Sequence, residues 1–207
     1  MTAARTLTLL ASILAAAAIG STARADGDPA SDYLLTQKVF FPFDAKFPAK
    51  QQAQFAGLVE AANRAGFKIR VALISSSYDM GSVTALYRKP RTYARFLGEE
   101  LSFLYKQRLL VVMPNGFGFN WPEHQTKPAY AVLDTIQIKP GSTGLLDAAQ
   151  TAVQRLTSSA GIKVTAPTGI ATPEQRNSHD RLIIIAAAVA ALLLAAAARL
   201  ALRRRRR

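Results

Sequence analysis

The feature that leaves this chain fewest options is the run at residues 182–198: seventeen apolar residues without a break, eight of them Leu, Ile or Val and nine Ala. Arg199 then intervenes, residues 200–202 resume the apolar character, and Arg203, Arg204, Arg205, Arg206 and Arg207 follow. If Arg199 snorkels its guanidinium into the headgroups, residues 182–202 rise about 31 Å as a helix, enough for a ~30 Å hydrocarbon core. Eight branched residues at about −0.3 to −0.6 kcal/mol each favour insertion by roughly 2.4 to 4.8 kcal/mol. The run therefore predicts a single transmembrane helix over 182–202. Positive flanks stay in the cytoplasm, so the arginine tail 203–207 is expected inside and the preceding chain outside.

The N-terminal residues point the same way. Arg5 supplies a positive start, residues 7–19 form an apolar stretch rich in Leu and Ala, and Ala23-Arg24-Ala25 sets small residues at the recognition positions of a cleavage site. Residues 1–25 thus read as a secretory signal. Both topological signals export the same segment. The expected location is the cytoplasmic (inner) membrane, crossed once, with the N-terminal domain extracytoplasmic and the C-terminal tail cytoplasmic.

The formal charge of +13 would suggest nucleic acid as a partner. Its distribution argues otherwise. Residues 26–180 hold all 13 acidic residues but only 17 of the 26 bases, and the other nine bases flank the two apolar runs. Most of the excess is a topology signal, and no nucleic-acid partner is expected. The chain has no cysteine, which excludes a disulfide scaffold, thiolate-ligated metals and thiol catalysis.

Residues 165–181, with Pro167 and Pro173 and little apolar periodicity, read as a stalk linker. The folded unit is then the exported domain at 26–164. Within it, 34–41 reads as a strand. A helix follows from Pro48, with Phe55, Leu58, Val59 and Ala62 at i, i+3, i+4 and i+7 and Gly66 as its stop. Residues 67–74 read as a central strand. A second helix starts near Pro90, with Tyr93, Phe96, Leu97, Leu101 and Leu104 as its buried stripe. Strands are expected at 108–113 and 129–134, the latter continuing towards Ile138, and a last helix at 141–160 turns Leu145, Leu146, Ala149, Val153 and Leu156 inward. Alternating strands and helices imply an α/β class, specifically a three-layer α/β/α sandwich with a short, mostly parallel sheet, followed by the C-terminal transmembrane helix.

The segments TYARFLGEEL and RLLVVMPNGFG, with the order of elements over about 34–160, resemble the TPM domain, an exported α/β/α module often followed by a membrane helix. The resemblance implies the fold and the tethered architecture. In some members it also implies calcium binding or phosphatase activity. Here the aspartate-led opening of that family does not precede the first helix, and FLYKQ stands where its Trp-containing, Gly-rich stretch would be. No functional residue carries over.

Ligands of open α/β sheets sit outside the carboxyl ends of the strands. The loop Ser75, Ser76, Ser77, Tyr78, Asp79 and the loop 115–128 would meet there if the strands before them are parallel neighbours. Ser75, Ser77, Asp79, Glu123 and His124 then form a possible polar site with the ingredients of a serine or metal-dependent hydrolase. No G-x-S-x-G elbow surrounds any of the serines, however. No catalytic residue is assigned and no cofactor is expected, oxygen-only calcium being the remaining metal alternative. Gly141-Ser142-Thr143-Gly144 opens the last helix, where backbone N–H groups can face an anion or Ser142 or Thr143 can cap it.

Phe117, Phe119, Trp121 and Tyr130 fall within 14 positions among Gly, Pro and polar residues, and Trp121 is the chain's one tryptophan. Either these rings fold back over the sheet or they form an aromatic interaction surface. Arg88, Lys89, Arg91 and Arg95 add a basic patch. The expectation is a non-enzymatic, membrane-tethered extracytoplasmic module that docks other envelope or membrane proteins through these two surfaces. The alternative is a metal-dependent or serine hydrolase, phosphatase-like, acting in the envelope.

Overall fold

The computed structural model describes residues 27–167. The expected signal segment, most of the linker, the 182–202 span and the arginine tail lie outside the described residues. Among the described residues, no helix is long and apolar enough to cross a membrane.

The chain opens on helix α1, Pro29–Thr36, and strand β1, Val39–Phe40. Helix α2, Ala49–Arg64, leads to strand β2, Ile69–Leu73. A kinked 3₁₀ segment, Ser77–Leu86, and helix α3, Pro90–Leu101, connect to strand β3, Arg108–Met113. Strand β4, Gly116–Asn120, turns straight back along β3, and helices α4, Lys127–Leu133, and α5, Gly141–Ser159, complete the domain. The sheet order is β1-β2-β3-β4, with β1, β2 and β3 parallel and β4 antiparallel. The α/β class read from the sequence is therefore the class of the fold, with a mostly parallel four-stranded sheet.

Alternation along the strands divides the core in two. Ile69, Val71 and Leu73 of β2 and Leu110 and Val112 of β3 point to the face where α2, α4 and α5 bury Phe55, Leu58, Leu133, Leu145 and Val153. Ala72, Leu109, Val111 and Met113 point to the other face, against Leu34 of α1 and Tyr93, Leu97 and Leu101 of α3. Each fully buried Leu, Val or Phe contributes about 1.5–3 kcal/mol relative to exposure, so a strand apolar on both faces is held firmly at the sheet's centre. The crossover through α2 and the crossover through α3 step the same way across the sheet but lie on opposite faces. They are consequently of opposite hand, and one departs from the right-handed rule.

Three expectations need correction. The stretch 34–41 is not one strand: Asp28 caps a helix through the Ala30 amide at 3.1 Å, Pro29 fits its first turn, and only Val39–Phe40 is extended. The stretch 129–134 is not a strand either, because Pro128 opens α4 there and the short apolar run carries no strand alternation. Leu104 does not extend the α3 stripe. The helix ends at Leu101, leaving Leu104 64% exposed. The helices over 49–64, 90–101 and 141–159 and the strands at 69–73 and 108–113 stand where the periodicity puts them.

Candidate functional site

Because the loop after β1 passes to one face of the sheet and the loop after β2 to the other, a crevice opens between them at the carboxyl edge of the strands. A pocket of about 450 Å³ occupies it. Asp44 and Lys46 reach it from the β1–α2 loop, Ser75 and Ser76 from the end of β2, and Lys139, Gly141 and Ser142 from the approach to α5. Helix α5 starts after Pro140 without a side-chain cap, so its first-turn N–H groups remain open donors at the positive end of a 19-residue helix. Two lysines, the Ser76 and Ser142 hydroxyls and these amides face one exposed carboxylate, Asp44, while the Ser75 hydroxyl is taken up by the buried Asp79 behind them. The balance favours an anionic group.

Asp79 builds this edge rather than lining the pocket. Its buried carboxylate accepts from the Ser75 amide and hydroxyl, each at 2.8 Å, from the Ser76 amide at 2.9 Å and from the Phe43 amide at 3.2 Å. It ties together the two loops that diverge around the crevice and holds Asp44 and Lys46 in place through Phe43. With four donors on two oxygens, little capacity remains for a metal or a proton relay. Ser77 is exposed beyond it.

The hairpin separates the other polar candidates. Strand β4 runs back from Gly116, opposite Met113, to Asn120, opposite Leu109. It carries Glu123 and His124 to the amino edge of the sheet, while Ser75 and Asp79 stay at the carboxyl edge. The Ser/His/Asp constellation does not form. Among the described residues, no three His, Asp or Glu side chains are grouped to hold a metal ion.

The aromatic candidates are mostly structural. Phe117 and Phe119 are 5% exposed and belong to the core, which corrects their reading as interaction surface: alternation along β4 turns both rings onto the sheet. The half-buried Tyr130 sets its hydroxyl on the open edge of β4, accepting from the Phe119 amide at 2.8 Å and donating to its carbonyl at 3.1 Å. Trp121 is half-buried, with the Arg108 guanidinium 3.7 Å from its ring centre on one contact and the His124 ring stacked at 3.7 Å.

The basic patch divides as well. Arg91 donates from one guanidinium nitrogen, Nη2, to both carboxylate oxygens of Asp134 at 2.9 and 3.0 Å and lies over the Tyr130 ring. Arg88, Lys89 and Arg95 are exposed, and the Arg88 carbonyl accepts from Asn115 at 2.7 Å. Sequence reading missed Asp44, Lys46 and Lys139. The signal was available in principle: they sit in the loop after β1 and just before the Gly-Ser-Thr-Gly helix start, both at the edge where a parallel sheet collects ligands.

The fold and the site define an α/β domain with a crevice at its parallel-strand ends. No family model matches the chain, and no curated protein or solved structure matches it either.

Proposed function

We propose that this chain is a membrane-tethered, extracytoplasmic interaction module that receives an anionic group of an envelope partner in the crevice at the carboxyl edge of its sheet. The observation that carries the reading is the pocket where Lys46, Lys139, Ser75, Ser76 and the uncapped start of α5 converge. The tether is the 182–202 span with the arginine tail inside, supported by the apolar length, the positive flank and the N-terminal signal, which agree on topology. The TPM-like reading belongs to the same proposal and rests on the order of strands and helices together with the tethered architecture.

The aromatic loop no longer supplies the docking surface, since its phenylalanines are core residues. Lys46 and Lys139 are exposed, so replacing both by alanine leaves the fold intact. The test compares partners co-purified in mild detergent with the wild-type anchored chain and with the Lys46→Ala, Lys139→Ala variant. In parallel, inorganic phosphate is titrated while the amide resonances of Gly141 and Gly144 are followed. Loss of partners and of the amide shifts in the variant is the expected result. An identical partner set together with unmoved amides removes the crevice as the docking site.

A further inference from the structure

The amino edge of the sheet, opposite the crevice, carries two features that the docking reading leaves unused. Between the end of α3 and the start of β3, Phe103 and Leu104 stand 72% and 64% exposed. Around that edge lie the exposed bases Arg64 at the end of α2, Lys68 before β2, Lys106 before β3 and Lys163 after α5. Arg108, half-buried, is clasped between the Phe67 and Trp121 rings at 4.2 and 3.7 Å from their centres. The exposed acids there are Glu99 and Glu123, so four exposed bases face two exposed acids, half-buried Arg108 and Glu100 adding one charge of each sign, and the Lys38–Glu60 pair is self-neutralised at 2.8 Å.

We infer that this edge lies on the outer surface of an anionic bilayer, with Phe103 and Leu104 entering the headgroup region and the lysines and arginines around them meeting lipid phosphates. The inference rests on the membrane-anchor reading of 182–202. Helix α5 begins at the crevice and runs about 28 Å to Ser159, so the chain leaves its last helix on the side of the amino edge, after which Ile162, Val164 and Ala166 lie back against the core. The fourteen residues 168–181 can separate the domain from the 182–202 span by at most about 50 Å. That keeps the domain beside the membrane at high effective concentration without orienting it. Orientation comes from the patch: two exposed apolar side chains within a basic field are what an interfacial anchor presents, each base near the surface adding to the attraction. A domain seated this way points its crevice away from the membrane, towards an envelope partner.

Trp121, the only tryptophan of the chain, lies at this edge and reports on it. The anchored chain is reconstituted in vesicles carrying nitroxide on the headgroups, either zwitterionic or containing about 30% anionic phospholipid. Trp121 emission is expected to fall about two-fold or more in the anionic vesicles at low salt. About 1 M salt, where the screening length shrinks to ~3 Å, restores it. The Phe103→Ser, Leu104→Ser variant, which removes only exposed side chains and keeps the wild-type melting curve, stays bright in both vesicles. Emission that is independent of lipid charge, or quenching unchanged in the double variant, overturns the inference. Alkaline extraction separates the two readings. A chain retained in the vesicles with unquenched Trp121 overturns the seating alone, whereas a chain released from them overturns the anchor and the seating with it.

Discussion

The Tyr93 hydroxyl stands 2.7 Å from each carboxylate oxygen of Asp28, joining the start of α1 to the first turns of α3 inside the domain. Both residues are buried. Burial pushes the Asp28 carboxyl up to about 6 from an ordinary 3.8, against the pull of the Tyr93 hydroxyl and the Ala30 amide, with the Glu100 and Asp32 charges adding to the rise. Burial, then the Asp28 charge, drives the Tyr93 phenol far above its usual range.

Linkage turns this pair into a pH dependence. Between about pH 4 and 6 the native state keeps a proton on Asp28 that the unfolded chain releases. Its contribution is therefore complete below the unfolded pKa and is lost as pH rises through the native one, by roughly 2–3 kcal/mol. Glu100, also raised by burial, acts in the same direction, so the informative quantity is wild type minus variant. Asp28→Asn keeps the cap and an acceptor for Tyr93 and flattens the slope between pH 4 and 6. Urea unfolding across pH 3.5–7.5, roughly the window set by that linkage, checks this, and an unchanged slope in the variant refutes the assignment.

Asp79 is a second buried carboxylate with a different task. Its four donors come from Phe43, Ser75 and Ser76, on the two sides of the crevice. Asp79→Ala leaves those donors unpaired and costs about 3 kcal/mol, whereas Asp79→Asn, keeping one acceptor oxygen, costs less. Amide exchange should quicken first at Phe43, Ser75 and Ser76, because the loops open locally before the core does. Uniform quickening across the sheet instead points to global destabilisation without a role at the crevice.

How much of this was legible in the sequence follows from which signals are local. Helical periodicity at 49–64, 90–101 and 141–159 and the doubly apolar strands at 69–73 and 108–113 depend on neighbours a few residues away, and they read correctly. Helix α1 was missed although Asp28-Pro29 is a helix-start signal, because the apolar stretch after Leu34 invited a strand. Strand β4 was hidden because Gly116-Phe-Gly-Phe looks like loop composition. Gly118 is there so that α3 can approach, since a Cβ at that position would meet Pro90 and Ala94, and that is a fact about a helix remote in the sequence. The same hairpin sends Glu123 and His124 to the wrong edge for chemistry with Asp79, and no spacing in the sequence announces that.

The burial of the β4 rings predicts an ordered set of costs. Phe117→Ala and Phe119→Ala each empty part of the core beside Leu110 and Val112 and should cost about 3–5 kcal/mol. Trp121→Ala, half-buried, loses ring contact and the Arg108 cation–π interaction, worth about 0.5–1 kcal/mol at an exposed site, and should cost clearly less than either phenylalanine. Chemical denaturation of the three variants checks the order. Equal, small costs would mean that the rings face outward and would revive the aromatic surface.

Gly118 offers the sharpest test of how α3 seats on β4. A Cβ at this position would press on the Pro90 backbone carbonyl and on the Ala94 methyl. Backbone cannot step aside as the end of a flexible side chain can, so Gly118→Ala has to push the start of α3 off the strand, at a cost of about 1–3 kcal/mol. Gly27→Ala is the matched control, since nothing lies within 4 Å of the added methyl. If α3 lies against β4 as described, thermal unfolding separates the two variants by several degrees, with Gly27→Ala near wild type. A Gly118→Ala protein that melts with the control would show that the helix has room to spare, and the close approach of α3 to β4 would then be wrong.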